Sequence, residues 1–554
     1  MIELSVIIAT YNRAQRLRLC LEALAQQTQP ATDFEVIVVV DGSTDDTPAL
    51  LANLTTPYLL RVIYQPNGGQ PAALNRGIVE ASGRYCLILD DDMIAAPTLV
   101  AAHLQAQREQ GGVVALGDID YRLPAQADWF ARCFAEGWTN HYKRLRQGIR
   151  TPTWTDCYSG NLSVPRAALL EVGLFAVDLP AAFDLELGYR LERQGLPLVY
   201  LPAAAAEHHD DKDFRALVAS SEREGRVAVE LYRRHPAMLP ELLGTFGEAP
   251  LRVIVLRRLL LALRIPPRAL GLVARLQARR GKLYAWYRFL ASYAYWWGVR
   301  QAMPDGDTWQ RLTHGVPILM YHAVGHDTEA PSRYVVPVRR FAQHMAWLKW
   351  LRYHVLSLDE FLHYRRTYRL PPARSVVITL DDGYADNSTL AYPVLRRYGF
   401  PATIFLVTDK VGGTNDWDEN GGVGGRRLMS WSDIRGLLRG GVRFGGHTRH
   451  HPSLKTIATH QAQEEVEGSR ADLERELKTP VHAFAYPYGV YNSETQALVQ
   501  QAGYWGGCGV KSGINTLRTP NYALRRIEIW GSDSWLAFLL KLWSGTSRVG
   551  SRSK

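Results

Sequence analysis

Tyr85-Cys-Leu-Ile-Leu-Asp-Asp-Asp92 is a short apolar run that ends in three carboxylates. Leu4 to Ile8, Val36 to Val40, Arg61 to Tyr64 and Tyr85 to Leu89 all read as buried strands. Stretches such as Pro71 to Ala81 between them have helical spacing, with Gly83 placed to end that helix. The alternation is the βαβ rhythm of a mainly parallel sheet, whose ligands sit beyond the C-terminal ends of the strands. The polar residues stand there: Thr10-Tyr11-Asn12-Arg13, Asp41-Gly42-Ser43 and Asp90-Asp91-Asp92. No GxGxxG follows a strand, which argues against a dinucleotide-binding domain.

Three adjacent carboxylates repel one another unless a cation lies between them. Hard oxygen ligands suit Mg²⁺ or Mn²⁺, which can bridge to nucleotide phosphates. The plainer alternative is an Asp-rich turn capping a helix near Ala96-Pro97. Their companions favour the ligand reading: Asp41 can accept from a base imide, Tyr11 can stack on the base, and Asn67-Gly68-Gly69 offers a close-approaching loop.

Ser5-Val-Ile-Ile-Ala-Thr-Tyr-Asn12, Val39-Val-Asp-Gly-Ser-Thr-Asp-Asp46, Asn67-Gly-Gly with Ala73-Leu-Asn-Arg-Gly77, and Leu89-Asp-Asp-Asp92 together resemble the family 2 inverting glycosyltransferases of GT-A fold. The resemblance implies that Thr10, Tyr11 and Asp41 line the nucleotide site. It implies that Asp90 and Asp92 form the DxD element holding metal and diphosphate. Phe183-Asp-Leu-Glu-Leu-Gly188 resembles the family's acidic motif, with Asp184 as general base and Glu186 as the alternative. His208 or His209 would add a metal contact. The QxxRW motif of processive synthases is absent, which favours one sugar per encounter.

The chain has 554 residues, 47% of them apolar and 21% charged, as in a soluble protein of several domains. Its net charge of +10 is concentrated: Leu251 to Met303 holds 11 Lys or Arg and no acid, leaving −1 for the rest. No nucleic-acid module accompanies that charge, so no nucleic-acid partner is expected. Five cysteines without a CxxC pair are a reduced pattern. No basic leader precedes the first apolar run, and no 18-residue uncharged span occurs. A cytoplasmic protein is expected. The basic segment also carries Tyr284, Trp286, Tyr287, Phe289, Tyr293, Tyr295, Trp296 and Trp297. Cations with interfacial aromatics fit a helix on an anionic membrane, on the inner face of the plasma membrane; a packed helical connector is the alternative.

Beyond Val316 strands again lead into polar clusters. Ser375-Val-Val-Ile-Thr-Leu380 runs into Asp381-Asp382-Gly383, Val442 to Phe444 into His447-Thr-Arg-His-His451, and Val481 to Ala485 into Tyr486-Pro-Tyr-Gly489. Such clusters line the C-terminal rim of a (β/α) barrel. His447 and His451, four apart, can face one side of a helical turn, and Asp382 adds a carboxylate. Asp381 points away from the same metal and is free to act as a base.

These motifs resemble the polysaccharide deacetylases (carbohydrate esterase 4, NodB homology), and the Met320-Tyr-His322 opening resembles the poly-N-acetylglucosamine branch. The resemblance implies Zn²⁺ or a similar ion on Asp382, His447 and His451, Asp381 as general base, and the Tyr488 N–H as oxyanion donor. Two features depart from the family. The third-motif arginine is replaced around Ala485, and Leu524-Arg-Arg-Ile-Glu528 stands where a Leu-x-His acid belongs. The expected architecture is α/β: a GT-A domain over 1–240, a basic helical connector over 241–315, and a distorted (β/α) barrel over 316–554. The expected function is sugar transfer from a nucleotide-sugar donor to a lipid-linked or glycan acceptor, joined to N-acetyl hydrolysis. The alternative is a transferase whose barrel only binds glycan.

Overall fold

The computed structural model describes residues 2–209, 213–271, 283–329, 333–417 and 423–547. The remaining part of the basic segment, 272–282, lies outside the described residues. The chain forms two compact units, Met1–Leu231 with Val255–Ala302, and Tyr232–Ile254 with Met303–Lys554.

The first unit is built on β1 (Leu4–Thr10), β2 (Phe34–Asp41), β3 (Leu59–Gln65), β4 (Tyr85–Leu89), β5 (Met93–Ala95), β6 (Val114–Arg122), β7 (Asn161–Pro165) and β8 (Leu198–His209). Their order is β3-β2-β1-β4-β7-β6-β8-β5. β1 to β4 are parallel, whereas β7 runs against both β4 and β6. Every residue of β2 and β4 is buried, as expected for parallel strands covered on both faces. The helix over Gln70–Glu80 packs on β1 and β2.

Gly83 does not end that helix. The chain is already extended at Ala81, and a Cβ on Gly83 would sit 2.7 Å from the Ser5 nitrogen. Close approach to β1, not a left-handed cap, requires glycine there. The aromatic helix Leu283–Ala302 buries Leu290, Tyr293, Trp296 and Val299 and packs on the helix Trp129–Arg146 of its own unit.

The second unit holds β9 (Ile318–Tyr321), β10 (Ala323–Gly325), β11 (Val335–Pro337), β12 (His354–Leu356), β13 (Ser375–Leu380), β14 (Thr403–Leu406), β15 (Arg443–Gly446), β16 (Ala483–Ala485), β17 (Gly506–Cys508) and β18 (Ile527–Glu528). The main sheet is ordered β17-β16-β15-β14-β13-β9-β18, with β12 beside β13, and all its pairings are parallel. A further bridge, Cys508 to Leu524, ties β17 to the segment leading into β18. The architecture is therefore α/β throughout: a mixed GT-A-like sheet, a helical middle, and a curved parallel sheet of (β/α)-barrel type.

Candidate functional site

In the first unit, the strand ends bring two carboxylate sites together. Asp41 closes β2, where Oδ1 accepts from Gln65 Nε2 (2.7 Å) and the Gly68 N–H (2.9 Å) and Oδ2 from the Gly69 N–H (2.8 Å). Its carboxylate thus shapes the Asn67-Gly68-Gly69 loop. Tyr11 is 49% exposed and precedes Asn12, whose Oδ1 accepts from the Thr44 N–H.

Asp90, Asp91 and Asp92 follow β4. Thr10 Oγ1 donates to Asp91 (2.7 Å), and Arg13 Nη1 reaches both Asp91 (2.9 Å) and Asp92 (3.0 Å). Gln70 Nε2 donates to Asp90 (2.9 Å). Burial, then the neighbouring Asp92 charge, pushes the Asp90 carboxyl up to about 7 against the opposing pull of His208. Burial works on Asp92 too, but the bond and charge of His208 and the charges of Arg13 and Arg16 hold it below the usual range.

Of the two candidate histidines, His208 comes to this cluster, with Nε2 3.1 Å from Asp92 Oδ1. His209 lies instead against Glu207 at 3.5 Å. Asp92 Oδ1 is buried with the His208 ring as its partner, and a carboxylate beside an imidazole suits a divalent cation. Asp184 opens the helix Phe183–Arg193 and accepts from the Ser159 and Leu185 N–H groups; burial nevertheless raises its carboxyl. Glu186 is gripped by Arg190 through bonds of 2.7–3.0 Å. That leaves Asp184 the less encumbered of the two carboxylates.

In the second unit, Asp381 and Asp382 follow β13, His447 follows β15, and Tyr488 follows β16. His447 and His451 do not share a helical turn. They sit on a bend in which Thr448 and His451 are left-handed (φ 67° each), and Asp382 and Tyr488 are left-handed too (φ 71° and 57°). Such strain in four non-glycine residues around one pocket is held in place by the surrounding fold.

The result is a compact triad. His447 Nε2 and His451 Nε2 each lie 3.5 Å from Asp382 Oδ1 and 3.2 Å from each other. His447 Nδ1 lies 2.8 Å from the Ala485 carbonyl oxygen, which can only accept. Nδ1 therefore carries the proton, and Nε2 offers its lone pair to the centre. A point equidistant from the three atoms lies roughly 2.0 Å from each, the bond length Zn²⁺ makes to nitrogen and carboxylate oxygen. The residues fit a divalent ion. Burial would raise the Asp382 carboxyl, but the His447 bond and the charges of His451 and His322 hold it well below the usual range.

Two further residues had no assigned role in the sequence. Arg526 Nη1 donates to Asp381 Oδ1 (2.6 Å) and its Nε to the Gly509 carbonyl (2.9 Å), both partners being almost fully buried. Asp381 is thus held by an arginine from a stretch 145 positions further along the chain. His322 lines the same cavity, of about 130 Å³, beside Asp381, Asp382, Tyr488 and Glu528. Its ring meets Tyr334 edge-on at 4.9 Å. The Met320-Tyr-His322 run was the available signal.

Comparison with known proteins agrees with this division. Residues 5–173 match Glycosyl transferase family 2, and residues 369–506 match Polysaccharide deacetylase. The Bacillus subtilis protein YxkH, whose name places it with the polysaccharide deacetylases, is 30% identical over 223 residues, covering 40% of this chain and 74% of its own. The poly-beta-1,6-N-acetyl-D-glucosamine N-deacetylase of Staphylococcus aureus is 28% identical over 223 residues, covering 39% of this chain and 73% of its own. The structure of a Pyrobaculum calidifontis mannosyltransferase with GDP-Man and Mn²⁺ covers 55% of this chain and 88% of that one, at 18% identity and a TM-score of 0.41.

Proposed function

The chain belongs to glycosyl transferase family 2 through its N-terminal part and to the polysaccharide deacetylases through its C-terminal part, and from that premise we propose a bifunctional enzyme of cell-surface glycan assembly. It transfers a sugar from a nucleotide-sugar donor and removes N-acetyl groups from an N-acetylhexosamine glycan. The observation that carries the second activity is the Asp382–His447–His451 triad beside an arginine-held Asp381. The likeness to the staphylococcal deacetylase supports an N-acetylglucosamine substrate.

In deacetylation, Asp382, His447 and His451 hold Zn²⁺ or a similar ion, which when bound polarises the acetamide carbonyl and acidifies the attacking water. Asp381, kept in place by Arg526, accepts the proton of that water as the C–O bond forms. The Tyr488 N–H donates to the developing oxyanion. His322 protonates the amine nitrogen as the C–N bond breaks, releasing acetate. In transfer, Asp184 takes the proton of the acceptor hydroxyl as it attacks the anomeric carbon. Asp90, Asp92 and His208 would hold Mg²⁺ or Mn²⁺, which would supply positive charge to neutralise the leaving diphosphate.

Fusion raises the effective concentration of one site's product at the other to about the mM range if both can use one substrate. Incubating the full chain with a panel of sugar nucleotides and N-acetylglucosamine-bearing lipid acceptors, followed by mass spectrometry, tests the proposal. Products gaining neither a sugar nor a free amine would refute it.

We also propose a cytoplasmic, membrane-peripheral location. Among the described residues no helix is long and apolar enough to cross a membrane. The helix Leu251–Ala262 exposes Leu251, Val255, Leu256 and Leu259 while burying Arg257. That exposed apolar face and the exposed Arg252, Arg264 and Arg268 support an interfacial role better than the packed aromatic helix does. Sedimentation with anionic and neutral liposomes tests it: anionic preference should fade as salt rises past about 0.15 M, and equal binding to both vesicle types would sink it.

A further inference from the structure

At the opposite end of the second unit's sheet from Asp381, the loops entering β9, β13 and β18 enclose a cavity of about 460 Å³. It shares no lining residue with the pocket around Asp381. Arg311, Arg365, Arg366 and Arg369 line it, and no Asp or Glu does. We propose that this cavity is a binding site for a diphosphate-bearing ligand, held by Arg366 and Arg369 on a frame made by Arg311 and Arg365.

The frame is visible in the bonds. Arg311 donates to the Leu370 (2.6 Å) and Pro371 (3.0 Å) carbonyls. Arg365 donates to the Thr516 carbonyl (3.0 Å), the Thr519 carbonyl and Asn521 Oδ1 (2.5 Å). The Arg365 acceptors are neutral, so they satisfy its donors without balancing its charge, while Arg311 also lies 3.8 Å from the exposed Asp307. The field of the fixed Arg365 cation remains in the cavity, and burial alone pushes its guanidinium down to about 10. A bound anion relieves that cost.

Arg366 and Arg369 are exposed, and among the described residues neither is paired with a carboxylate. Arg366 lies over the Trp505 ring at 4.5 Å, which holds its planar fork in one orientation. Forked guanidinium donors match phosphate oxygens in pairs, and Arg366 and Arg369 offer two such forks, more than a single carboxylate needs. Phe361, Tyr364 and Tyr368 line the same space and give the body attached to the diphosphate an apolar face. The volume suits a nucleotide or the head of a polyprenyl diphosphate.

Calorimetric titration of the full chain in chelator, which removes divalent ions from both other sites, tests the site with inorganic pyrophosphate as probe. Saturable binding is expected, weakened at least about tenfold in Arg366→Gln/Arg369→Gln and only partly retained in Arg366→Lys/Arg369→Lys, which keeps the charge but loses the fork. If the double glutamine variant does not fold, Arg369→Glu alone should show the loss. A nucleoside diphosphate and farnesyl diphosphate, titrated separately, identify the source by which gains most over pyrophosphate. No saturation below about 5 mM, or equal binding in wild type and the glutamine variant, overturns the proposal.

Discussion

The two units solve one electrostatic problem in different ways. Each ends an apolar parallel strand in adjacent carboxylates, Asp90-Asp91-Asp92 after β4 and Asp381-Asp382 after β13. In the first, permanent cations join one imidazole in the neutralising: Arg13 spans Asp91 and Asp92, Arg16 lies 3.6 Å from Asp92, and His208 lies 3.1 Å from it. In the second, one arginine is assigned to Asp381, and Asp382 faces two imidazoles. An imidazole can turn a lone pair to a metal, whereas a guanidinium has none to offer. The barrel triad is therefore gathered for an ion before one arrives. On the proposed transfer role, the Asp90–Asp92 cluster would exchange an arginine contact for metal and diphosphate.

The largest expected effects test that contrast directly. Asp382→Asn or His447→Ala should lose metal and acetate release together, with sugar transfer intact, as read by elemental analysis beside both assays. Asp381→Asn should keep metal yet lose roughly 10²–10⁴-fold in acetate release, the worth of general-base catalysis. Metal retained in Asp382→Asn and lost in Asp381→Asn would reverse the roles. In the other unit, Asp92→Asn should abolish transfer while acetate release continues. Equal loss of both activities would point to misfolding or one shared site.

Arg526→Met sharpens the comparison at smaller scale. It should leave metal content unchanged and slow acetate release by about 10–100-fold, from a mispositioned base. Partial recovery in Arg526→Lys is expected; loss of metal would instead make the arginine a general structural prop.

The smallest effect is on stability. His103 in the first unit and His344 in the second are buried, and burial depresses them to about 4 and about 3. Each sits below its unfolded value near 6.5, so the unfolded chain takes up the proton first. Stability is full above about pH 6.5 and falls as pH drops, by at most about 1.4 kcal/mol per pH unit per histidine. Calorimetry between pH 7 and 5 on His103→Gln and His344→Gln should flatten this slope for one unit each; unchanged slopes would discard the assignment.

Much of this was legible in order along the chain. The buried strands, the carboxylates at their ends and the Asp382, His447 and His451 set follow from local pattern, because apolar runs and chemically demanding residue types are local facts. His447 and His451 were misplaced on a helical turn because i,i+4 spacing cannot show left-handed φ at Thr448 and His451. Gly83 read as a helix stop because its neighbour across the sheet, Ser5, is distant in sequence.

The sequence by itself determined the fold class, the two family resemblances and the strand-end residues to which the proposed chemistry is assigned. Only the tertiary structure decided their partners: Arg526 for Asp381 across 145 positions, His208 rather than His209 for Asp92, Arg190 for Glu186, and His322 as a lining residue of the Asp381 pocket. The physical reason is that charges act through space. A carboxylate's role depends on which cation stands a few ångströms away, and the parallel sheets, by bringing remote strand ends side by side, choose that cation.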